Sequence, residues 1–202
     1  LLLGGCQVSE EITYTEVESY INNDLFFDNP LGISQIGDPF ILKASDGIYY
    51  CYATSDAAYG FEVWTSTNMV DWKKHQPRVY SSTMDSWGVN DFWAPEVYEW
   101  DGKYYMYYSA RWRENNSLRI GLAISDSPVG PFEDVSHQPL FDFGYAVIDA
   151  HVFVDDDGQS YLYYSRDCSE YKVGTNNESH SYGIRLAEDK QTLIGEPVLI
   201  VS

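Results

Sequence analysis

Residues 39–53 read Pro-Phe-Ile-Leu-Lys-Ala-Ser-Asp-Gly-Ile-Tyr-Tyr-Cys-Tyr-Ala: a short apolar run, an Asp-Gly pair and an aromatic run. Asp-Gly supplies the positive φ angles of a tight hairpin turn, so this stretch predicts two antiparallel strands. The same pattern returns at residues 95–108 and 150–164, and the Asp-Gly pairs recur at intervals of 55 and 56 residues. The chain therefore contains three copies of one structural unit.

Each hairpin is followed by a third candidate strand, then by turn residues and a short outer strand. The third strands are expected at Phe61–Ser66, Arg119–Ile124 and Tyr182–Ala187. Runs that are apolar on both faces suit sheets that lie between other sheets. Four-stranded units at this period are typical of β-propeller blades, and no segment shows sustained helical periodicity. We predict an all-β propeller with blades at roughly 30–92, 93–147 and 148–202; the alternative is a set of unrelated hairpins in a β-sandwich.

The composition restricts the partners of the protein. Its 202 residues are 44% hydrophobic and 21% charged, which is enough for one substantial core. Twelve Lys and Arg residues against 31 Asp and Glu residues give a net charge of -19, which repels phosphate backbones and argues against a nucleic-acid partner. The 18 Tyr, 6 Trp and 9 Phe residues favour strands and offer flat apolar faces to sugar rings.

The N-terminus, Leu1-Leu2-Leu3-Gly4-Gly5-Cys6, is similar to the end of a bacterial lipoprotein signal, in which small residues precede a lipidated cysteine. We interpret residues 1–24 as a signal remnant and tether, and Cys6 as the lipidation site; the alternative is a disordered tail with an incidental thiol. The interpretation predicts an exported lipoprotein of the bacterial cell envelope. Its contact with the outer membrane, on the periplasmic or outer surface, would be through the lipid anchor alone.

Two further sequence patterns are interpreted as structural features rather than as functional sites. Cys51 lies in an apolar strand run, so Cys51 and Cys168 are expected as separate buried thiols rather than a disulfide. Asp155-Asp156-Asp157-Gly158 lacks the alternating spacing and the distant Glu of an EF-hand loop. It predicts a hairpin turn.

Acidic residues recur at the start of the predicted inner strands, which face the central channel if the first strand of each blade is innermost. The aligned positions are Asp38, Ala94 and Asp149. A carboxylate directly before a buried strand is costly unless it is paired, hydrogen-bonded or used. Asp38 and Asp149 are therefore candidate catalytic residues; the alternative is that they cap turns at the channel mouth.

Three motifs at blade spacing resemble those of glycoside hydrolase family 43. They are Gly37-Asp38-Pro39-Phe40, Phe92-Trp93-Ala94-Pro95-Glu96 and Ile148-Asp149-Ala150-His151. The resemblance extends from about residue 30 to the end and implies a five-bladed β-propeller, of which about three blades are present. It also implies an inverting mechanism, in which Asp38 is the general base and Asp149 tunes the pKa of the acid and holds it in place. In such enzymes the acid and base stand about 6.5–9.5 Å apart.

The general acid is where the sequence departs from the family pattern. The resemblance implies a glutamate at the start of a fourth blade, near position 204 by the repeat length, so residues 1–202 are expected to lack it. Glu96 lies two residues past Ala94 and is interpreted as structural. Glu196 belongs to the predicted outer strand of the third blade and is not assigned as the acid.

Four residues are candidates for substrate binding. Trp93 and Phe92 precede the second inner strand and are predicted to form a sugar-stacking wall, with packing between blades as the alternative. Arg111 and Trp112 follow the next strand and are predicted to border the channel. His151 is expected to satisfy its hydrogen bonds within its own blade rather than in a network at Asp149. No cofactor is required and no metal ligands are assigned, although a structural calcium in the channel stays open.

The favoured function is an exo-acting arabinofuranosidase or xylosidase that acts on plant arabinan, arabinoxylan or xylan. A fructan-cleaving propeller hydrolase is one alternative, but its motif has Asn on both sides of Asp-Pro, whereas Gly37 and Phe40 flank the pair here. The other alternative is a non-catalytic carbohydrate- or protein-binding propeller, because a fold alone does not determine function. Acidic residues at two aligned channel positions argue against it.

Overall fold

The computed structural model describes residues 32–202. This part of the chain consists of strands and connecting segments, and none of it is a helix long and apolar enough to cross a membrane. The strands form three successive antiparallel sheets, each of which is one predicted blade. The predicted signal remnant and tether, residues 1–24, and the predicted lipidation site Cys6 lie outside the described residues.

The three blades share one strand order, from the channel outward. Blade 1 consists of β1 (Gly37–Lys43), β2 (Tyr49–Asp56), β3 (Gly60–Ser66) and β4 (Lys73–Lys74), with β5 (Tyr80–Ser81) also paired to β3. Blade 2 consists of β6 (Trp93–Trp100), β7 (Lys103–Arg111), β8 (Leu118–Ser125) and β9 (Glu133–Asp134). Blade 3 begins with β10 (Val147–Val154) and β11 (Ser160–Arg166), continues through a small separate hairpin of β12 (Lys172–Val173) and β13 (Asn176–Asn177), and ends with β14 (His180–Leu186) and β15 (Leu193–Val201).

The Asp-Gly pairs form the predicted hairpin turns. The φ angles of Gly47, Gly102 and Gly158 are 82°, 74° and 82°, a region that glycine enters without steric cost. In the third turn the backbone N–H of Gly158 donates to the carbonyl of Asp155 at 2.8 Å. The acidic run at 155–157 is therefore a hairpin turn, as predicted.

The core lies between the blades, which explains the long aromatic runs. The rings of Tyr52, Phe61 and Tyr108 are completely buried between blades 1 and 2. Tyr107, next to Tyr108 in β7, points the other way and is completely buried between blades 2 and 3. Successive side chains of a strand alternate between faces, so the sheet of blade 2 is covered on both sides. Burial of each such apolar side chain contributes about 1.5–3 kcal/mol.

The two described cysteines are both free thiols, which confirms that they do not form a disulfide. Cys51 is buried on the outer face of blade 1, packed against Trp64 and covered by Trp72, and burial raises its pKa to about 11. Cys168 is exposed, because it lies in the connection that follows β11. The prediction that both thiols are buried is therefore wrong for Cys168.

Candidate active site

A β-bulge opens the inner strand of every blade. The register shifts between Gly37 and Phe40, between Trp93 and Glu96, and between Ile148 and His151. Each bulge contains one residue with positive φ: 48° at Asp38, 45° at Ala94 and 58° at Asp149. This backbone conformation costs a non-glycine residue about 1–2 kcal/mol, and strain of this kind concentrates at functional sites. The three positions aligned from the sequence are therefore structurally equivalent.

Asp38 is held at the channel by a threonine of the neighbouring strand. The Thr54 hydroxyl donates to Oδ2 of Asp38 at 2.8 Å and accepts the backbone N–H of Ala94, in blade 2, at 2.8 Å. Asp38 itself remains exposed to solvent. An oriented and hydrated carboxylate is what a general base needs in order to take a proton from water.

Asp149 is held through its backbone by the preceding blade, as Ala94 is by Thr54. Its N–H donates to the hydroxyl of Ser109, in blade 2, at 3.0 Å. Crowding by protein atoms raises the pKa of Asp149 above its usual 3.8, and the negative charges of Asp38, Asp167 and Glu96 raise it further. Asp149 still has exposed surface, so its loss of hydration is partial.

The charge of Asp38 raises the pKa of Asp149, which indicates that the two carboxylates lie near each other. Asp167, which directly follows β11, adds a nearly buried negative charge, and its carboxylate accepts a hydrogen bond from the Ser169 hydroxyl. Such a site disfavours anionic ligands. It suits a neutral sugar that develops positive charge in the transition state, as glycosides do during hydrolysis.

Glu96 connects blades 2 and 3 next to these carboxylates. Its Oε2 accepts hydrogen bonds from the Tyr98 hydroxyl and from Nδ1 of His151, the latter at 2.9 Å. The Tyr98 hydroxyl in turn accepts the backbone N–H of Val152 at 2.9 Å. The expectation that His151 bonds within its own blade is wrong, because its partner lies in blade 2. Glu96 supports the interface and also raises the pKa of Asp149.

The two aromatic candidates differ in where their rings lie. Phe92 is completely buried and packs edge-on against Phe61, with ring centroids 6.1 Å apart. It also contacts the rings of Tyr80 and Tyr108. The structure corrects the prediction for Phe92, because a ring enclosed between blades does not contact a sugar. Trp93, the first residue of β6, is half-buried beside the bulge at Ala94 and remains a candidate stacking platform.

The contacts found for Arg111 and Trp112 are with residues other than the two carboxylates. Arg111 Nε forms an ion pair with Asp91 at 2.6 Å, and its Nη1 donates to the carbonyl of Asn116 at 2.9 Å. These bonds hold the connections around β7 in place. Trp112 borders a groove of about 490 Å³ that it shares with Trp87 and His137, and neither Asp38 nor Asp149 lines that groove. Roles in substrate binding remain predictions for both residues.

Within residues 32–202 there is no group of three or more His, Cys, Asp and Glu side chains arranged to hold an ion. No calcium site is therefore assigned to these residues.

Three site residues were missed from the sequence: Thr54, Ser109 and Asp167. The first two had a visible signal, since a hydroxyl residue follows the aromatic run of the second strand in each unit. Asp167 had none, because its proximity to Asp149 depends on how the segment after β11 folds back.

A propeller with two carboxylates at equivalent channel positions defines a candidate glycosidase, because paired carboxylates are the usual machinery of glycoside hydrolysis. The model of the family "Glycosyl hydrolases family 43" matches residues 27–202. The chain belongs to this family, and its three blades are part of a five-bladed β-propeller.

Individual relatives agree with this assignment. The chain is 29% identical over 165 residues to a β-D-galactofuranosidase of Aspergillus niger, covering 73% of this chain and 44% of that enzyme. It is 31% identical over 144 residues to a xylosidase/arabinosidase of Bacteroides ovatus, covering 64% and 43%. A solved thermostable family-43 glycoside hydrolase superposes with a TM-score of 0.81 at 45% identity, covering 87% of this chain and 56% of that one. The chain thus spans less than half the length of the two curated relatives.

Proposed function

We propose that the full-length protein is an inverting, exo-acting glycosidase that releases arabinose or xylose units from plant cell-wall polysaccharides or their oligosaccharides. The observation that carries this proposal is the equivalence of Asp38 and Asp149. Both stand at strained bulges. A second-strand hydroxyl holds the carboxylate of Asp38 and another holds the backbone N–H of Asp149, and the charge of Asp38 raises the pKa of Asp149. A non-catalytic propeller has no need to keep two strained carboxylates next to each other.

The two carboxylates have different roles in this proposal. Asp38, oriented by Thr54 and open to solvent, removes a proton from the water that attacks the anomeric carbon. Asp149 binds a proton more tightly than an ordinary carboxyl, because its pKa is raised. In its ionised form its negative charge would raise the pKa of a nearby general acid, the group that the family pattern assigns to a further blade. An inverting enzyme leaves room for water between acid and base.

The pentose preference rests on the names of relatives. The Bacteroides ovatus relative is a xylosidase/arabinosidase, and the Aspergillus niger relative is a β-D-galactofuranosidase. Arabinofuranose and galactofuranose share a five-membered ring. We expect the protein to prefer α-L-arabinofuranosides or β-D-xylosides and to test weakly on β-D-galactofuranosides.

The test is an NMR assay of the full-length protein on three aryl glycosides: α-L-arabinofuranoside, β-D-xyloside and β-D-galactofuranoside. The first sugar released, observed before mutarotation, should be a pentose of inverted anomeric configuration. A retained configuration would instead support the fructan-type mechanism. Saturable binding of xylo- or arabino-oligosaccharides without hydrolysis would support a binding module and contradict the proposal.

A separate proposal concerns location. The Leu3-Gly4-Gly5-Cys6 sequence supports lipidation of Cys6 and anchoring of the protein to the cell envelope. Mass spectrometry of protein made with its native leader in a bacterial host tests this, with Cys6→Ser as the control. An unmodified Cys6 in a soluble periplasmic protein would contradict it.

A further inference from the structure

The second strand of every blade carries one short pattern, a tyrosine followed two positions later by a hydroxyl residue. The three copies are Tyr52 and Thr54, Tyr107 and Ser109, and Tyr163 and Ser165. The hydroxyl residues occupy the same register, opposite the residue that precedes the bulge: Gly37 faces Thr54, Trp93 faces Ser109, and Ile148 faces Ser165. The pattern is therefore structurally equivalent in the three blades.

The first copy joins blade 1 to blade 2 at two points. The Tyr52 hydroxyl donates to the carbonyl of Pro128, which lies between β8 and β9, at 2.6 Å. The Thr54 hydroxyl accepts the backbone N–H of Ala94, at the bulge of β6, at 2.8 Å. One bond holds the outer part of the next blade and the other holds its channel end.

The second copy joins blade 2 to blade 3 in the same manner. The Tyr107 hydroxyl donates to the carbonyl of Lys190, which lies between β14 and β15, at 2.6 Å. The Ser109 hydroxyl accepts the backbone N–H of Asp149, at the bulge of β10, at 3.0 Å. At both interfaces a tyrosine hydroxyl donates to a carbonyl between the last two strands of the following blade. At both, a Thr or Ser hydroxyl accepts the backbone N–H of the bulge residue in that blade's inner strand.

The third copy lies on the face of blade 3 that points away from blade 2. Leu162 and Tyr164 face blade 2, so strand alternation directs Tyr163 and Ser165 to the other side. On the outer strand β15, which β14 separates from β11, Val198 and Val201 are 61% and 60% exposed. No described residue hydrogen-bonds to the Ser165 hydroxyl within residues 32–202, and these apolar side chains of the same blade are uncovered there.

We propose that Ser165 is a positioning residue for the next blade of the same propeller. Its hydroxyl accepts the backbone N–H of the bulge residue that opens that blade's inner strand. Tyr163 donates to a carbonyl between the third and fourth strands of that blade. The inference rests on the proposed function, in which the general acid stands at the start of that inner strand.

The chemistry of a single hydroxyl explains why this position matters. Thr54 donates its proton to Asp38, in its own blade, while it accepts an N–H from the next blade. Ser165 occupies the same register beside Asp149 and has the same capacity, one proton to donate and lone pairs to accept. It thereby sets the backbone that carries the acid relative to Asp149.

The experiment compares Ser165→Ala and Ser165→Thr with the wild type in the full-length protein. Thr65→Ala is the matched control, because it removes a hydroxyl from an outer position of β3. Hydrogen exchange detected by mass spectrometry follows the peptide that opens the next inner strand. Ser165→Ala should exchange there at least about tenfold faster, and Ser165→Thr and the control should match the wild type. Unchanged exchange in Ser165→Ala would overturn the proposal even if the protein has no glycosidase activity.

Turnover on two leaving groups tests the link to the acid. A good leaving group, such as dinitrophenol, does not need protonation, whereas an alkyl or sugar leaving group does. Ser165→Ala should lower kcat by about tenfold or more on the poor leaving group and much less on the good one. Equal losses on both substrates would contradict a role in positioning the acid.

The proposed bond of Tyr163 is tested by comparison with the observed bond of Tyr107. Tyr163→Phe should lower Tm by about as much as Tyr107→Phe, a few degrees, because each change removes one bond to a carbonyl of the following blade. An unchanged Tm for Tyr163→Phe, with a lower Tm for Tyr107→Phe, would remove Tyr163 from the proposal.

Discussion

The backbone amide of Asp149, in blade 3, donates a hydrogen bond of 3.0 Å to the hydroxyl of Ser109, in blade 2. The position of a candidate catalytic carboxylate is therefore set by the neighbouring blade as well as by its own strand. Thr54 does the same for Ala94 at the preceding interface. Blade packing and active-site geometry are thus linked by single side chains.

Ser109→Ala tests this link in the full-length protein. Ser109 is completely buried, so the variant leaves the N–H of Asp149 without its acceptor, at a cost of about 1–3 kcal/mol in the free energy of unfolding. We expect kcat to fall by about tenfold, because the carboxylate is displaced from its productive position. Chemical denaturation and steady-state kinetics measure both effects, with Thr65→Ala as control. A stable variant with wild-type kcat would show that Ser109 does not position Asp149.

Asp149→Asn should make the protein more stable at neutral pH. The folded-state pKa of Asp149 is raised, first by lost hydration and then by Asp38, Asp167 and Glu96, so the native state holds the proton more tightly than the unfolded chain does. Its stabilising contribution is complete at pH values below the unfolded pKa and is lost as the pH rises through the folded pKa. Asparagine removes the penalty of the charged form and tolerates the positive φ.

Calorimetry across pH 2–8 checks this expectation. The gain in Tm from Asp149→Asn should be largest near neutrality and should disappear below about pH 3, where aspartate is protonated in both states. Asp157→Asn is the control, and its effect on Tm near neutrality should have the opposite direction. Bonds from the backbone and side chain of Gln159 lower the pKa of Asp157, so its charged form is favoured in the folded state. A lower Tm for Asp149→Asn at pH 7 would mean that its carboxylate is stabilised rather than penalised.

Glu96→Gln should lower the pKa of Asp149. The charge of Glu96 is one cause of the raised pKa, and glutamine removes it while it keeps an acceptor for Tyr98. Carboxyl-carbon NMR titration measures the shift directly. Glu99→Gln, on the same strand but bonded to Ser45, provides the comparison and should leave the titration of Asp149 unchanged. Equal titration curves in both variants would remove Glu96 from the site.

Phe92→Ala and Trp93→Ala should have different effects, although the residues are adjacent. Phe92 is completely buried, so its truncation should cost about 3–5 kcal/mol of stability. Trp93 is half-buried at the bulge, and its truncation should raise KM for the sugar more than it lowers stability. Denaturation and kinetics on the full-length protein separate the two. Equal losses of stability without a change in KM would assign Trp93 to packing as well.

The hairpins and their order were predictable because their determinants are local. An Asp-Gly turn and an aromatic run lie within 15 residues of sequence, and the repeat interval places the next copy. The same interval aligned Asp38, Ala94 and Asp149, whose equivalent bulges the structure confirms. Local signals of this kind need no knowledge of tertiary contacts.

The predictions that proved wrong concern side chains whose surroundings are determined by tertiary contacts. Phe92 directly precedes β6 and Trp93 begins it, and only the packing of blade 1 on blade 2 determines which ring is enclosed. The Glu96 partner of His151 is 55 residues away in the preceding blade, so its own strand gave no sign of it. A bulge also interrupts the strict alternation of side chains, and therefore pattern alone does not assign faces beside it.

The proposed role of Asp38 as the general base is tested by turnover of Asp38→Asn in the full-length protein. The substrates are aryl α-L-arabinofuranoside and aryl β-D-xyloside. Asp101→Asn is the matched control, because Asp101 also has positive φ but lies at the Asp-Gly turn of blade 2. We expect Asp38→Asn to lose about 10²-fold or more of kcat, with Asp101→Asn close to wild type. Retention of more than about a tenth of wild-type turnover by Asp38→Asn would show that Asp38 is not the base, because loss of a positioned base costs far more than that.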